Sequence, residues 1–383
     1  MKTSLHHLNE LIAFPTVSRD SNLELIDYVR KFLADLQIES TVVHGDDGHK
    51  ANLWATIGPP NVPGIVLSGH TDVVPVSGQS WSSDPFKLTE RNGCFFGRGA
   101  ADMKGFIACS LHAIEIASKY KLKVPIHLAL SYDEEVGCIG VRHLLHFLRD
   151  VSPKPRLCIV GEPTAMQAIT AHKGKVSLHA VLHGLEAHSS LSPQGVNAIY
   201  MASDLIAAIR SIQSEIATKL PQEDDYEVPY TTLHVGKIVG GEVLNIVPNH
   251  CTFDFEIRFL PGDDADQIIS RIKDAADDIE KRNASIFPAT RIDLIELQSY
   301  PALSTPVNSD AVKFVHALTG GNSTGKISFG TEAGLFQQTL DIPAIVCGPG
   351  HIAVAHKPDE YITSEQMARC DAMLQRMIET LSY

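Results

Sequence analysis

From residue 1 to about 175, short continuous apolar runs alternate with stretches in which apolar residues recur every three or four positions. The short runs have the length of buried strands, and the longer recurrence is that of amphipathic helices. Helices are expected over residues 5–12, 23–36, 105–120 and 140–148, and buried strands over 64–68, 126–131, 156–160 and, far downstream, 344–347. This alternation predicts an α/β fold, a mostly parallel sheet with helices on both faces. Between about 176 and 300 the order changes to a strand (176–182), a helix (197–220), two strands, a helix (265–282) and a strand (291–297). That βαββαβ order predicts a ferredoxin-like α+β unit. Because the run at 344–347 belongs with the first set of strands, the smaller domain (176–300) is expected to be inserted into the larger one (1–175 and 301–383).

The four runs share one property. Each stops just before residues able to do chemistry: His70 and Asp72, then Asp133 to Glu135, then Glu162, and finally the segment CGPGHIAVAHKPDE, which carries His356. In open α/β sheets ligands sit beyond the carboxyl ends of the strands, so the four ends point to one shared site.

Composition narrows the classes of partner. Apolar residues make up 44% of the 383-residue chain and charged residues 20%, the balance of a globular protein. A formal charge of −13 argues against nucleic acid or an anionic membrane as partner, since both need clustered Lys and Arg. The first residues, MKTSLHHLNELIAF, contain no signal-peptide apolar core, and no run approaches the roughly 18 apolar residues of a spanning helix. Seven cysteines without CxxC spacing predict reduced, mostly buried thiols rather than a disulfide framework. A cytoplasmic location is therefore expected. No strand-linked GxGxxG supports a dinucleotide-dependent oxidoreductase.

Two His and several carboxylates form a nitrogen and oxygen donor set suited to zinc, cobalt or manganese. In SGHTDVVP, His70 and Asp72 are two apart at a strand end and project from the same face, so one could ligate while the other orients it; a lone His there would be structural. In GRGAADMKG, small residues let the backbone bring Asp102 close to a ligand, although Asp102 could cap the next helix instead. Glu134 and Glu135 in SYDEEVG are consecutive and point in different directions, which allows one to bind metal and one to hold a proton; a solvated acidic turn is the alternative. GEPT supplies Glu162 and AHKPDE supplies His356.

The ordered set SGHTDVVP, GRGAADMKG, DEEVGCIG, GEPT, GLEAHSS, NIVP, DFEIRFLPG and FGTEAG resembles the two-metal amidohydrolase family of acetylornithine deacetylases, succinyl-diaminopimelate desuccinylases, aminoacylases and glutamate carboxypeptidases, across essentially the whole chain. The resemblance implies two divalent ions, zinc with cobalt as a substitute, with His70 and Glu162 on one, Glu135 and His356 on the other, and Asp102 bridging both. Two dications against three carboxylates leave one positive charge, which a hydroxide would neutralise. It further implies Glu134 as general base, Asp72 as the group that orients His70, and a cis bond between Asp102 and Met103.

In the insert, His188 of GLEAHSS is either a surface His or, by resemblance, the group that reaches a second subunit's site to stabilise an oxyanion, which implies a homodimer formed through that lid and dimerisation domain. Asn245 and Arg258 are expected to bind polar and carboxylate groups of the substrate, with Arg258 suited to a bidentate contact. Gly330 and Thr331 would add backbone and hydroxyl contacts. Glu332 either meets a substrate ammonium or serves as a helix-start carboxylate. The likeness points first to N-acetylornithine as substrate, giving ornithine and acetate in arginine biosynthesis. Desuccinylase, broad aminoacylase or dipeptidase activity, and a catalytically silent binding protein of the same fold, are the alternatives.

Overall fold

The structure, a computed structural model, describes residues 2–383. The chain divides into two compact units, one drawn from Met1–Ala171, Leu303–Lys326 and Thr331–Tyr383, the other from His172–Ala302 and Ile327–Gly330.

The first unit is built on a long sheet in the order Ser40–His44, Ala51–Ile57, Ile126–Ser131, Ile65–His70, Leu157–Pro163, Ala344–Gly348, Ala168–His172 and Leu303–Ser304, with Thr324–Ile327 also pairing with Ala168–His172. Its four central strands, from Ile126–Ser131 to Ala344–Gly348, run parallel, and they are the four runs expected from the sequence. Antiparallel neighbours flank them on both sides. The expected α/β class with a mainly parallel sheet is therefore found. The flanking strands were not among the expected runs.

Strand periodicity assigns the two faces of this sheet. Leu53, Ala55, Ile57, Ile65, Leu67, Ile126, Leu128, Leu130, Leu157, Ile159, Ile345 and Cys347 join one hydrophobic core with the helices Ser4–Ile12, Leu23–Asp35, Lys104–Ala117, Asp310–Thr319 and Ser364–Leu381. The alternate residues, among them Ser68, Ser131, Cys158 and Val346, turn to the other face, where Gly140–Leu148 and Ala333–Leu340 pack. Helices thus cover both faces, which is why the parallel strands are apolar throughout their lengths. Six of the seven cysteines are buried, and all seven are unpaired.

The second unit has the sheet order Thr232–Gly240, His250–Phe259, Gly174–His183, Arg291–Tyr300, antiparallel throughout. In chain order this is the 2-3-1-4 arrangement of a ferredoxin-like sheet. Its two helices, Ala198–Thr218 and Ala265–Asn283, begin where Asn197 and Asp264 accept backbone N–H groups of the first turn. They share a core with Val176, Leu178, Ala180 and Leu182, while Lys175, His179 and His183 alternate to the opposite face. No helix among the described residues is long and apolar enough to cross a membrane.

Candidate metal centre

The parallel strands deliver their C-terminal residues to one edge. His70 is the last residue of Ile65–His70, Glu162 lies at the end of Leu157–Pro163, and Glu134 and Glu135 follow Ile126–Ser131 in the turn that leads to the next helix. Asp102 and His356 come from loops, and the Asp102–Met103 peptide is cis, as the resemblance implies.

Two clusters result: one ligand atom each from His70, Asp102 and Glu162, and one each from Asp102, Glu135 and His356, all within 4.8 Å of one another in each set. Asp102 divides its oxygens between them. Its Oδ1 lies 3.0 Å from His70 Nε2, and its Oδ2 lies 3.2 Å from His356 Nε2. Glu162 Oε1 is 3.7 Å from His70 Nε2, and Glu135 Oε1 is 3.0 Å from His356 Nε2. Asp102 does not cap the following helix, whose N-cap is Met103.

The tautomer of His70 follows from geometry. Its Nδ1 lies 2.9 Å from the backbone carbonyl of Asp72, an acceptor without a proton, so Nδ1–H donates and the Nε2 lone pair faces the cluster. That carbonyl is nearer than the Asp72 carboxylate, whose Oδ1 is 3.5 Å away. The carboxylate is instead occupied by the backbone N–H of Glu134 at 3.1 Å, the N–H of Glu135 at 3.4 Å and the hydroxyl of Ser18 at 2.7 Å. Asp72 thus fixes the His70 ring through its main chain and the Glu134–Glu135 turn through its side chain. Asp133, the first acid of that turn, faces elsewhere. Lys50 Nζ donates to both its oxygens at 2.7 and 2.6 Å, and Arg19 N–H donates at 2.8 Å, an anchor that holds the turn from behind.

This set cannot easily hold its own charge. Burial pushes the Glu134 carboxyl up to about 8, with Glu135 and Asp102 adding to the rise, and burial and Asp102 raise Glu135 and Glu162 as well. Although burial acts on Asp102 too, the adjoining His356 and His70 rings hold it well below the usual carboxylate range. Glu162 Oε1 is buried without a hydrogen-bond partner. Converging carboxylates, an orphaned buried oxygen and two imidazole nitrogens suit divalent cations of borderline hardness. The residues fit two such ions.

Two sequence-based roles are corrected. Glu332 does not offer its carboxylate to a ligand: it is 1% exposed, and its two oxygens accept from Ser68 Oγ at 2.6 Å and Ser131 Oγ at 2.7 Å. Thr331 is fully buried and its hydroxyl accepts the Ala333 N–H at 3.1 Å, which starts the helix rather than lining a pocket. Both lie under the sheet face opposite the large core, so the FGTEAG segment reads as an anchor.

Within the second unit, His188 and Asn245 are neighbours. Ser189 N–H donates to Asn245 O at 2.9 Å, and the exposed His188 takes Ser190 Oγ at 2.7 Å through Nδ1. Arg258 Nε donates to Glu256 Oε1 at 3.0 Å, with Tyr300 Oη 3.4 Å from Nη1, and Gly330 packs where a Cβ would strike the Tyr300 ring. The sequence reading missed Ser18 and Lys50, whose partners are remote in the chain. It also passed over Cys138, although it quoted the DEEVGCIG segment that places this thiol one helical turn after Glu134, where Sγ lies 3.3 Å from Glu134 Oε1.

Residues 66–380 match the family model described as peptidase family M20/M25/M40. An acetylornithine deacetylase of Buchnera aphidicola (subsp. Acyrthosiphon pisum, strain APS) is 33% identical over 380 residues, covering 97% of this chain and 96% of that protein. Among solved structures, an M20-family metallo-carboxypeptidase from Sulfolobus solfataricus superposes with a TM-score of 0.79 at 20% identity, covering 99% of each chain. An aminopeptidase from Bacillus cereus gives 0.76 at 21% identity, covering 99% of this chain and 98% of that one.

The Glu332 brace predicts that Glu332→Ala, which strips two buried hydroxyls of their acceptor, lowers the stability of the metal-free protein by about 1–3 kcal/mol in thermal or urea unfolding. Its relative preference among N-acyl amino acids should be unchanged; a selective loss of activity toward basic amino acids would restore the substrate-contact role.

Proposed function

The chain belongs to peptidase family M20/M25/M40 and is a metallohydrolase, and on that premise we propose that it removes the acetyl group from N-acetylornithine, a step of arginine biosynthesis. The observation that carries the reaction class is the pair of three-ligand clusters sharing Asp102. The likeness to the Buchnera deacetylase along nearly the full length of both chains supports the substrate.

In this reading His70, Asp102 and Glu162 would hold one zinc ion, and Asp102, Glu135 and His356 would hold the other, with cobalt able to substitute. Two divalent cations bound there would supply Lewis-acid polarisation of the amide carbonyl and acidification of water. The chain's own groups do the rest. Glu134, beside the ligands and held by Asp72 through its backbone, takes the proton of the attacking water on its carboxylate and passes it to the leaving amine nitrogen. Asp72 keeps the His70 Nε2 lone pair aimed at the cluster by accepting its Nδ1–H. His188 stabilises the oxyanion, while Arg258, Asn245 and the backbone at Gly330 bind the amino-acid portion of the substrate.

The same reading makes the protein a cytoplasmic homodimer paired through the second unit. Seven unpaired thiols suit a reducing compartment. Support for pairing lies in Thr232–Gly240, an edge strand, where Ile238 and Val239 are exposed and lead into Val243, Leu244 and Ile246, with Leu244 100% exposed. Contiguous exposed apolar residues beside an unpaired strand edge are what a partner covers.

The deciding experiment is hydrolysis of N-acetylornithine, N-succinyl-diaminopimelate, N-acetylmethionine and a dipeptide by metal-stripped protein with zinc or cobalt restored. Preference for N-acetylornithine is expected. Preference for another substrate replaces the substrate and keeps the mechanism, and no cleavage at any metal loading favours a silent binding protein. Glu134→Ala should lose about 10²- to 10⁴-fold or more in kcat while still binding two ions per chain, as measured by elemental analysis. Leu244→Asp should shift sedimentation from dimer to monomer and reduce kcat together with it; an active monomer would remove His188 from the chemistry.

A further inference from the structure

Of the candidate ligands, His356 is the one least held by burial. Its side chain is 49% exposed, whereas His70 is 1% exposed at a strand end, and it sits at φ 61° in a loop beyond the Ile352–Val354 turn. An imidazole in such a position binds a cation well only if something else fixes its backbone. The structure contains that support, and it leads back to the bridging carboxylate.

Gln79 Nε2 donates to the backbone carbonyl of His356 at 2.9 Å, and Arg98 Nη1 lies 3.3 Å from the carbonyl of Lys357. Gln79 Oε1 accepts from Arg98 Nη2 at 2.6 Å and from Trp81 Nε1 at 3.1 Å, and the Arg98 guanidinium lies 5.0 Å over the Trp81 ring. Arg98 Nη1 also donates to Glu360 Oε2 at 2.6 Å. The other oxygen of Glu360 accepts the backbone N–H of Ala101 at 2.9 Å and that of Asp102 at 3.1 Å. One continuous path therefore runs from the main chain of Asp102 through Glu360, Arg98 and Gln79 to the main chain of His356. Arg98 and Glu360 are each 1% exposed, so neither charge has water as an alternative partner. Their planar, charge-assisted contacts have little freedom to adjust.

We propose that Gln79, Arg98 and Glu360 are positioning residues that hold the His356 loop against Asp102 and thereby set the cation affinity of the Asp102–Glu135–His356 cluster. This rests on the two-cation reading above. Gln79 is the selective point in the path: it is uncharged, only partly buried, and touches the His356 side of the relay while the buried Arg98–Glu360 pair stays intact. Outer groups that orient ligands in this way typically change metal affinity by about 10- to 100-fold when removed.

The test is calorimetric titration of metal-stripped protein with Zn²⁺, using His356→Ala to mark which of the two binding events belongs to this cluster. Absence of two events in the unaltered protein would defeat the two-cation reading itself, independently of the relay. Given two events, Gln79→Met should weaken the marked one by about 10- to 100-fold and leave the other within about twofold. Gln79→Glu keeps an acceptor for Arg98 but cannot donate to the His356 carbonyl. Its added charge would by itself tighten both events, so a selective loss at the marked event identifies the missing N–H. Affinities within about twofold of the unaltered protein in both variants, or equal weakening of both events with a lowered melting temperature of the metal-free protein, would overturn the proposal.

Discussion

Mutual repulsion among carboxylates in a poorly hydrated crevice is the constraint around which this protein is organised. Asp102, Glu135 and Glu162 converge on two imidazoles, with Glu134 and Asp72 beside them, and burial raises Glu134, Glu135 and Glu162. Like charges at such separation interact strongly where solvent does not screen them. A chain could keep this arrangement by leaving the acids protonated or by binding cations. The orphaned Glu162 oxygen and the His70 lone pair that faces the cluster favour cations, because one divalent ion can satisfy several of these donor atoms together while a single proton serves one pair.

Holding such a set in place requires that none of it be free to relax away, and the fold achieves this by assigning opposite sheet faces to different tasks. One face is almost wholly hydrocarbon, packed against five helices. On the other, Ser68 and Ser131, the second residue before His70 and the third before Glu134, are joined by both oxygens of Glu332 at the start of Ala333–Leu340. The strand end that carries His70 and the turn that carries Glu134 and Glu135 are thus tied through a buried carboxylate rather than through apolar contact, whose lack of direction would fix their register less sharply. Asp133 with Lys50, and Asp72 with Ser18, repeat the device on the turn itself.

What the sequence disclosed follows from this division. The central strands were legible because burial on both faces makes them continuous apolar runs, and the inserted unit was legible from the order of its periodicities. The flanking strands were not: Ser40–His44 alternates between exposed and half-buried positions and carries a Ser, a Thr and a His, so its period is weak. The candidate ligands stood out because they lie at strand ends or in distinctive loops. Glu332 stayed open between two roles, since a carboxylate at a helix start looks the same whether it faces a ligand or two serine hydroxyls hidden under the helix. Gln79 and Glu360 gave no signal of their own, because their partners are brought near by topology and not by spacing along the chain.

This difference in legibility mirrors a difference in what each residue does. The atoms that perform the reaction must be His, Asp or Glu, and their types betray them. Residues that fix those atoms act through backbone carbonyls and N–H groups, which every residue possesses, so many side chains could serve and the sequence does not single them out. Substrate choice belongs to a third group. In the second unit Arg258 is engaged by Glu256 and Tyr300, and His188 by Ser190, so in the proposed substrate-binding roles a substrate would compete with these internal partners. Such exchange costs part of the interaction free energy in breaking an existing contact, and it makes affinity sensitive to small changes in the arrangement of these groups. The metal centre can therefore remain constant across a family whose members cleave different amides, while discrimination among those amides is set by groups with weaker geometric constraint.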